Sequence, residues 1–267
     1  MGRGLRPVEG RVPFTVRVPW RLLLPEGRGG PAPLLVALHG MGDRIGRFEA
    51  EARAALPPGW ALLLPSAPLP RDRERARPGE GSGASWYLYD GDTPRFRESL
   101  AGAEAHVLGL LGRLRRAAGR RPRGTRPPDF RRVALLGFSQ GAYLAGVLAV
   151  RNPRAFRAAV LVSGRLKHET LAGEIPAAAA AGLRVLVLHG AGDLRVLPGP
   201  AAASAAAARA AGLAAEDREL PGGHEFTPAM RGAAREWLAR LDGGIETGRA
   251  PRGTRPVRGA RRGRPSG

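Results

Sequence analysis

Two kinds of apolar pattern alternate along the chain. At Val12, Phe14, Val16 and Val18 apolar residues take every second place, the period of a half-buried strand. From Leu34 to Leu38 the apolar run is continuous. Continuous runs recur at Ala61–Leu64, Val133–Leu136, Ala158–Val162 and Val185–Leu188. Short uninterrupted runs of this kind mark strands buried on both faces, as in a parallel sheet covered by helices. Between them lie segments that read as helices: Arg44–Leu56, Arg97–Ala118, Gly141–Val150, Ala201–Ala211 and Thr227–Leu241. The alanine run Ala201–Ala208 is low in complexity, yet alanine is the best helix former. Thr227 followed by Pro228 supplies a cap and a first-turn proline for the last helix. This alternation predicts an α/β fold with a mostly parallel central sheet and helices on both faces. The charged, glycine-rich stretch Arg71–Ser85 and the Pro/Arg stretch around residues 119–129 read as surface loops.

Composition narrows the picture. A chain of 267 residues, 43% apolar, can bury one core, and residues 1–247 read as a single domain. Cysteine is absent, which removes disulfides, thiolate metal sites and cysteine nucleophiles and fits a reducing compartment. No apolar stretch approaches the roughly 20 residues of a membrane span. Met1–Gly10 is not followed by an apolar signal region, and Leu22–Leu24 is cut short by Pro25. The expected location is therefore the cytoplasm.

The net charge is +20, and Lys167 is the one lysine. Seven arginines and no acids fall in residues 248–267, where Gly, Pro and Arg alternate without apolar periodicity. That composition predicts a disordered tail. A second basic stretch runs from Arg113 to Arg132. Neither interleaves aromatic residues with arginine as single-strand binders do. With 39 glycines and 25 prolines alongside, the arginine reads as solvated compositional bias rather than a nucleic-acid surface.

The candidate chemistry lies just past the predicted strands. Gly137-Phe138-Ser139-Gln140-Gly141 matches G-x-S-x-G between the strand Val133–Leu136 and a helical segment, the context of a nucleophile elbow. A sharp strand-to-helix turn exposes the serine oxygen at a helix N-terminus, where the dipole favours developing negative charge. Asp193 follows strand Val185–Leu188, and His224 follows a short strand at Asp217–Leu220. Both positions lie in the crevice outside strand carboxyl ends, where open α/β sheets build their sites. The order Ser139, Asp193, His224 is that of α/β-hydrolases. In this reading His224 moves the proton of Ser139, and Asp193, favoured over the nearby Asp217 by its loop context, fixes the imidazole tautomer. The backbone N–H groups of Met41, in Leu38-His39-Gly40-Met41-Gly42-Asp43, and of Gln140 are the expected oxyanion-hole donors. One such donor is worth about 2.7–4 kcal/mol of barrier.

With these pieces the sequence resembles the phospholipase/carboxylesterase family, which includes bacterial carboxylesterases and acyl-protein thioesterases. The resemblance rests on Leu38–Asp43, Gly137–Gly141, Leu161-Val162-Ser163-Gly164, His189-Gly190 through Asp193 with Val196, and Gly223-His224-Glu225. It spans roughly residues 33–241. It implies an α/β-hydrolase fold and ester or thioester hydrolysis without metal or organic cofactor. Ser85-Trp86-Tyr87 resembles the family's Trp-containing substrate loop. Trp86 and Tyr87 are thus candidate substrate-binding residues, an apolar wall, with core packing an equal reading for Trp86. Only about twenty residues separate Val162 from Val185, too few for a large cap domain. That spacing predicts an open, shallow site for short to medium acyl chains.

Other residues have plainer readings. His39 and His189 are loop anchors, Asp43 a loop-fixing acceptor and Glu225 a surface residue. His106 lies in a helix and His168 in a loop, without metal-ligand spacing. Trp20, Trp60 and Trp237 are packing residues. Fold and triad leave the substrate open, so a peptidase or a polyester depolymerase on the same fold is compatible with the sequence. A different class is a noncatalytic α/β-hydrolase-like protein whose basic tail holds nucleic acid or an anionic surface. The sequence is silent on oligomeric state.

Overall fold

The computed structural model describes residues 16–71, 83–117, 119 and 121–243, with side chains to Leu241. In chain order the elements are β1 (Trp20–Leu23), β2 (Ala32–Leu38), α1 (Ile45–Ala54), β3 (Ala61–Pro65), β4 (Leu69–Arg71), β5 (Gly83–Ser85), α2 (Pro94–Arg116) and β6 (Pro128–Phe138). They continue with α3 (Gln140–Arg151), β7 (Ala158–Val162), α4 (His168–Leu171), α5 (Ile175–Ala180), β8 (Arg184–Gly190), α6 (Pro198–Ala210), β9 (Ala214–Leu220) and α7 (Pro228–Gly243).

Seven strands form one sheet in the order β1-β3-β2-β6-β7-β8-β9. All neighbours are parallel except β1, which runs antiparallel to β3. β4 and β5 make a separate antiparallel pair. The continuous apolar runs behave as two-sided strands must. In β2, Leu34, Val36 and Leu38 pack into a core with side chains of α2, α3, α5 and α6. Leu35 and Ala37 face the opposite way, among Phe48 of α1 and Met230, Trp237 and Leu238 of α7. The sheet is thus buried on both faces, and its carboxyl edge is left to loops.

Several sequence expectations shift. Of the strand expected over Val12–Val18, residues 12–15 lie outside the described residues, and Val16–Val18 carry no strand. Among the described residues the first strand is Trp20–Leu23, an edge strand whose partly exposed residues hide the alternation. α2 begins at Pro94, three residues before the expected start, because the Thr93 hydroxyl accepts the Phe96 N–H at 3.0 Å. His168 opens the short helix α4 rather than lying in a loop. Residues 248–267, expected to be disordered, lie outside the described residues. Between β7 and β8 there are only α4, α5 and their turns, so no large cap is inserted there. Among the described residues no helix is long and apolar enough to cross a membrane.

Candidate active site

Ser139 sits between the end of β6 and the first residue of α3 with φ 52° and ψ −118°. That is a left-handed conformation strained for any residue with a Cβ. It is held from below: the Ser139 N–H donates to the Val162 carbonyl at 2.9 Å. The glycines of the motif have a steric reason. A methyl group at Gly137 would overlap the Gly141 carbonyl, and one at Gly141 would overlap the Leu38 carbonyl. Gly164 lies against the same turn, where a methyl would come 2.6 Å from Ala142 Cβ. The turn can therefore close only with hydrogen at these positions.

His224 and Asp193 arrive from the loops after β9 and β8. His224 Nε2 lies 2.9 Å from Ser139 Oγ, and its Nδ1 lies 2.8 and 3.1 Å from the two carboxylate oxygens of Asp193. The two loops are bound together, with Gly192 N–H donating to Gly222 O at 2.9 Å and Ala191 N–H to Leu220 O at 2.9 Å. Gly190 lies where they cross; a methyl there would overlap the Gly222 and Gly223 carbonyls.

Asp193 is 1% exposed. Burial by itself pushes its pKa up. Hydrogen bonds from the Val196 N–H at 3.0 Å, from His224 and from the Arg195 N–H at 2.9 Å outweigh that and hold it below the usual carboxylate value. It is therefore an anion at neutral pH, aimed at the imidazole. His189 donates its Nε2–H to the Val196 carbonyl at 2.7 Å, anchoring the loop that cradles the acid. The Phe138 ring lies 5.3 Å from the His224 ring, centroid to centroid.

The loop after β2 reaches the nucleophile from the other side. A methyl at Gly40 would stand 3.7 Å from Ser139 Cβ and press on the Phe138 ring at 3.0 Å. Gly42 has φ 74°, and the Asp43 N–H turns back to the Gly40 carbonyl at 3.2 Å, so Met41 lies at the crest of the turn. Gln140 is the first residue of α3, and its N–H is one of those no helical carbonyl can take. Asp43 fixes the loop exit by accepting the Arg44 N–H at 2.9 Å. His39 is buried; burial lowers its pKa, more than offsetting the pull of the Gly40 carbonyl and Asp43. It accepts the Ala67 N–H on Nε2 at 3.1 Å, so Nδ1 carries the proton toward the Gly40 carbonyl at 2.8 Å. Among the described residues no group of three or more His, Asp or Glu is arranged to hold a metal ion.

The structure thus brings together Ser139, His224, Asp193, Gln140 and the Met41 loop. It does not open Trp86 and Tyr87 to a substrate. Trp86 is 0% and Tyr87 7% exposed, because Trp86 packs on His39 with ring centroids 5.1 Å apart and Tyr87 packs edge-on against Phe96. Exposed apolar side chains among the described residues include Met41 after β2, Leu88 and Tyr89 after β5, and Leu194 and Leu197 between β8 and α6. Of these, sequence reading singled out Met41 alone.

The phospholipase/carboxylesterase profile matches residues 25–241. Similar solved structures include esterase PE8, with 23% identity over 85% of this chain and 100% of that one, at a TM-score of 0.63. A carboxylesterase from Mesorhizobium loti has 25% identity, covering 83% of this chain and 94% of its own, also at 0.63. Zea mays acyl-protein thioesterase 2 has 23% identity, covering 83% and 98%, at 0.62. No curated protein sequence matches the chain. With the family match running from ahead of β2 into α7, through the elbow and all three loops of the site, this chain belongs to the phospholipase/carboxylesterase family.

Proposed function

We propose that the protein is a serine hydrolase that cleaves carboxylic esters or thioesters through an acyl-Ser139 intermediate. The observation that carries the reading is the continuous hydrogen-bonded line from Ser139 Oγ through His224 to the buried Asp193 carboxylate. In the forward step His224 Nε2 takes the hydroxyl proton as Ser139 Oγ attacks the substrate carbonyl carbon. Negative charge moves to the carbonyl oxygen, which faces the Met41 N–H of the loop after β2 and the Gln140 N–H at the N-terminus of α3. Collapse breaks the bond to the alcohol or thiol, which leaves with the proton from His224. Water then repeats the sequence on the acyl-serine and releases the acid. Asp193, ionised throughout, stabilises the imidazolium.

Met41 in the loop after β2 and Leu194 next to Asp193 are exposed apolar side chains, and no cap domain is inserted between β7 and β8. Such a site suits short to medium acyl chains, or an acyl group presented by a larger substrate. The test is hydrolysis of p-nitrophenyl esters of increasing chain length and of acyl thioesters, comparing wild type with Ser139→Ala. Activity lost in the variant, with rates highest at short to medium length, supports the proposal. Equal activity in both proteins contradicts it. No activity in either turns attention to a noncatalytic role, for which a salt-dependent DNA shift abolished by deleting residues 248–267 is the complementary assay.

A further inference from the structure

The two expected oxyanion donors belong to different elements, Met41 to a loop beyond the sheet and Gln140 to the start of α3. An oxyanion hole works only when both N–H groups lie about 2.7–3.1 Å from the future oxyanion. The adjacency of β2 and β6 sets the coarse separation. It does not hold the loop, which extends past the last paired residue, Leu38.

A second segment does. β5 runs alongside the loop: Gly42 N–H donates to Ala84 O at 2.8 Å and Ala84 N–H to Asp43 O at 3.0 Å. A methyl at Gly83 would overlap the Gly42 carbonyl, so glycine permits this close approach. Immediately beyond, Trp86 donates its indole Nε1–H to the His39 carbonyl at 2.8 Å. Its backbone N–H donates to Gln140 Oε1 at 2.9 Å, and Gln140 Nε2–H donates to the Tyr87 carbonyl at 2.8 Å. Trp86 is therefore bonded on one side to the loop carrying Met41 and on the other to Gln140. With no exposed surface, its bonds face no competition from water.

We propose that Trp86, clamped by the Gln140 side chain, is a positioning residue that sets the gap between the two halves of the oxyanion hole. The proposal rests on the acyl-serine reading above. Gln140 then has two separable parts: its N–H faces the oxyanion, and its side chain holds the strut. The ring of Trp86 is not a substrate wall, so its loss acts on the transition state rather than on substrate binding.

Trp86→Phe keeps an aromatic ring and removes the indole N–H. Gln140→Ala keeps the backbone amide and removes both side-chain bonds. Each folded variant is compared with wild type for kcat and KM on a p-nitrophenyl ester. It is also compared for inhibition by an alkyl trifluoromethyl ketone, which binds serine as a tetrahedral oxyanion. The expected result is a kcat about ten- to a hundredfold lower with KM within about twofold. Ketone affinity should fall by a similar factor, and the pH profile should stay in place because His224 and Asp193 are untouched. If Trp86→Phe fails to fold, Gln140→Ala decides alone. Full kcat with unchanged ketone affinity, or a loss confined to KM, overturns the strut while leaving the esterase reading intact. No ester hydrolysis and no ketone binding by wild type overturns both.

Discussion

Replacing Asp193 by asparagine changes a single group inside a buried site, and the surrounding donors dictate which way the amide turns. Oδ1 receives the Arg195 N–H at 2.9 Å and the Val196 N–H at 3.0 Å. Only an oxygen can accept both, so the amide NH2 must take the position of Oδ2. That atom lies 2.8 Å from His224 Nδ1. The NH2 group, on the shorter of the two contacts (2.8 Å against 3.1 Å for Oδ1), then donates to Nδ1 and shifts the ring proton to Nε2. Nε2 faces Ser139 Oγ at 2.9 Å, and in that tautomer it cannot accept the serine proton. A wrong-tautomer triad loses roughly 10⁴ in kcat, which is about 5.4 kcal/mol of barrier. The side chain keeps its shape and its two backbone bonds, so the fold should be retained. The assay is kcat for p-nitrophenyl ester hydrolysis at neutral pH, with thermal unfolding as the control for folding. A folded Asp193→Asn protein retaining more than about a tenth of wild-type kcat would refute the assignment of Asp193 as the orienting acid.

Gly141→Ala drives a methyl into the Leu38 and His39 carbonyls; it should cost about 1–3 kcal/mol in urea unfolding and lower kcat, and unchanged values in both would contradict the steric account of the elbow. Trp237→Phe removes the indole donor to Glu216 Oε1 at 2.7 Å and should cost about 1.5–3 kcal/mol of stability, read by urea unfolding, with kcat unaltered. His39 and His106 both have pKa values lowered from 6.5, chiefly by burial. Between those lowered values and 6.5 the unfolded chain binds more protons, so their contribution is full above 6.5 and is lost as pH falls through the folded values. The melting temperature should therefore drop on acidification below 6.5, and His106→Gln should reduce the drop; an identical pH dependence in both proteins would contradict this.

The strands were legible wherever both faces are buried, since Leu34–Leu38 and Ala158–Val162 are apolar without interruption and lie in the sheet as expected. The loops carrying Ser139, Asp193 and His224 were legible for a related reason. Each follows such a run or its weaker echo in β9, and glycines mark the close approaches at Gly137, Gly141 and Gly190. β6 starts at Pro128, five residues before Val133, and its first part pairs with β2 across a register shift between Pro33 and Leu34. The charges of Arg131 and Arg132 mask that extension. α4 and α5 are 4 and 6 residues long, too short for a helical period to show. Sequence alone left Trp86 between substrate wall and core packing, and its burial favours the core. Its determining partner, His39, lies 47 residues away, and spacing says nothing of where an indole points.

The most direct measurement of the central claim is peptide mass spectrometry after reaction with an alkyl fluorophosphonate, which transfers its phosphonyl group to an activated serine. The account predicts a single adduct on Ser139, formed rapidly by wild type and far more slowly by His224→Ala, because only the hydrogen-bonded imidazole makes that hydroxyl a nucleophile. An adduct on another serine, none at all, or equal labelling with and without His224 would contradict it.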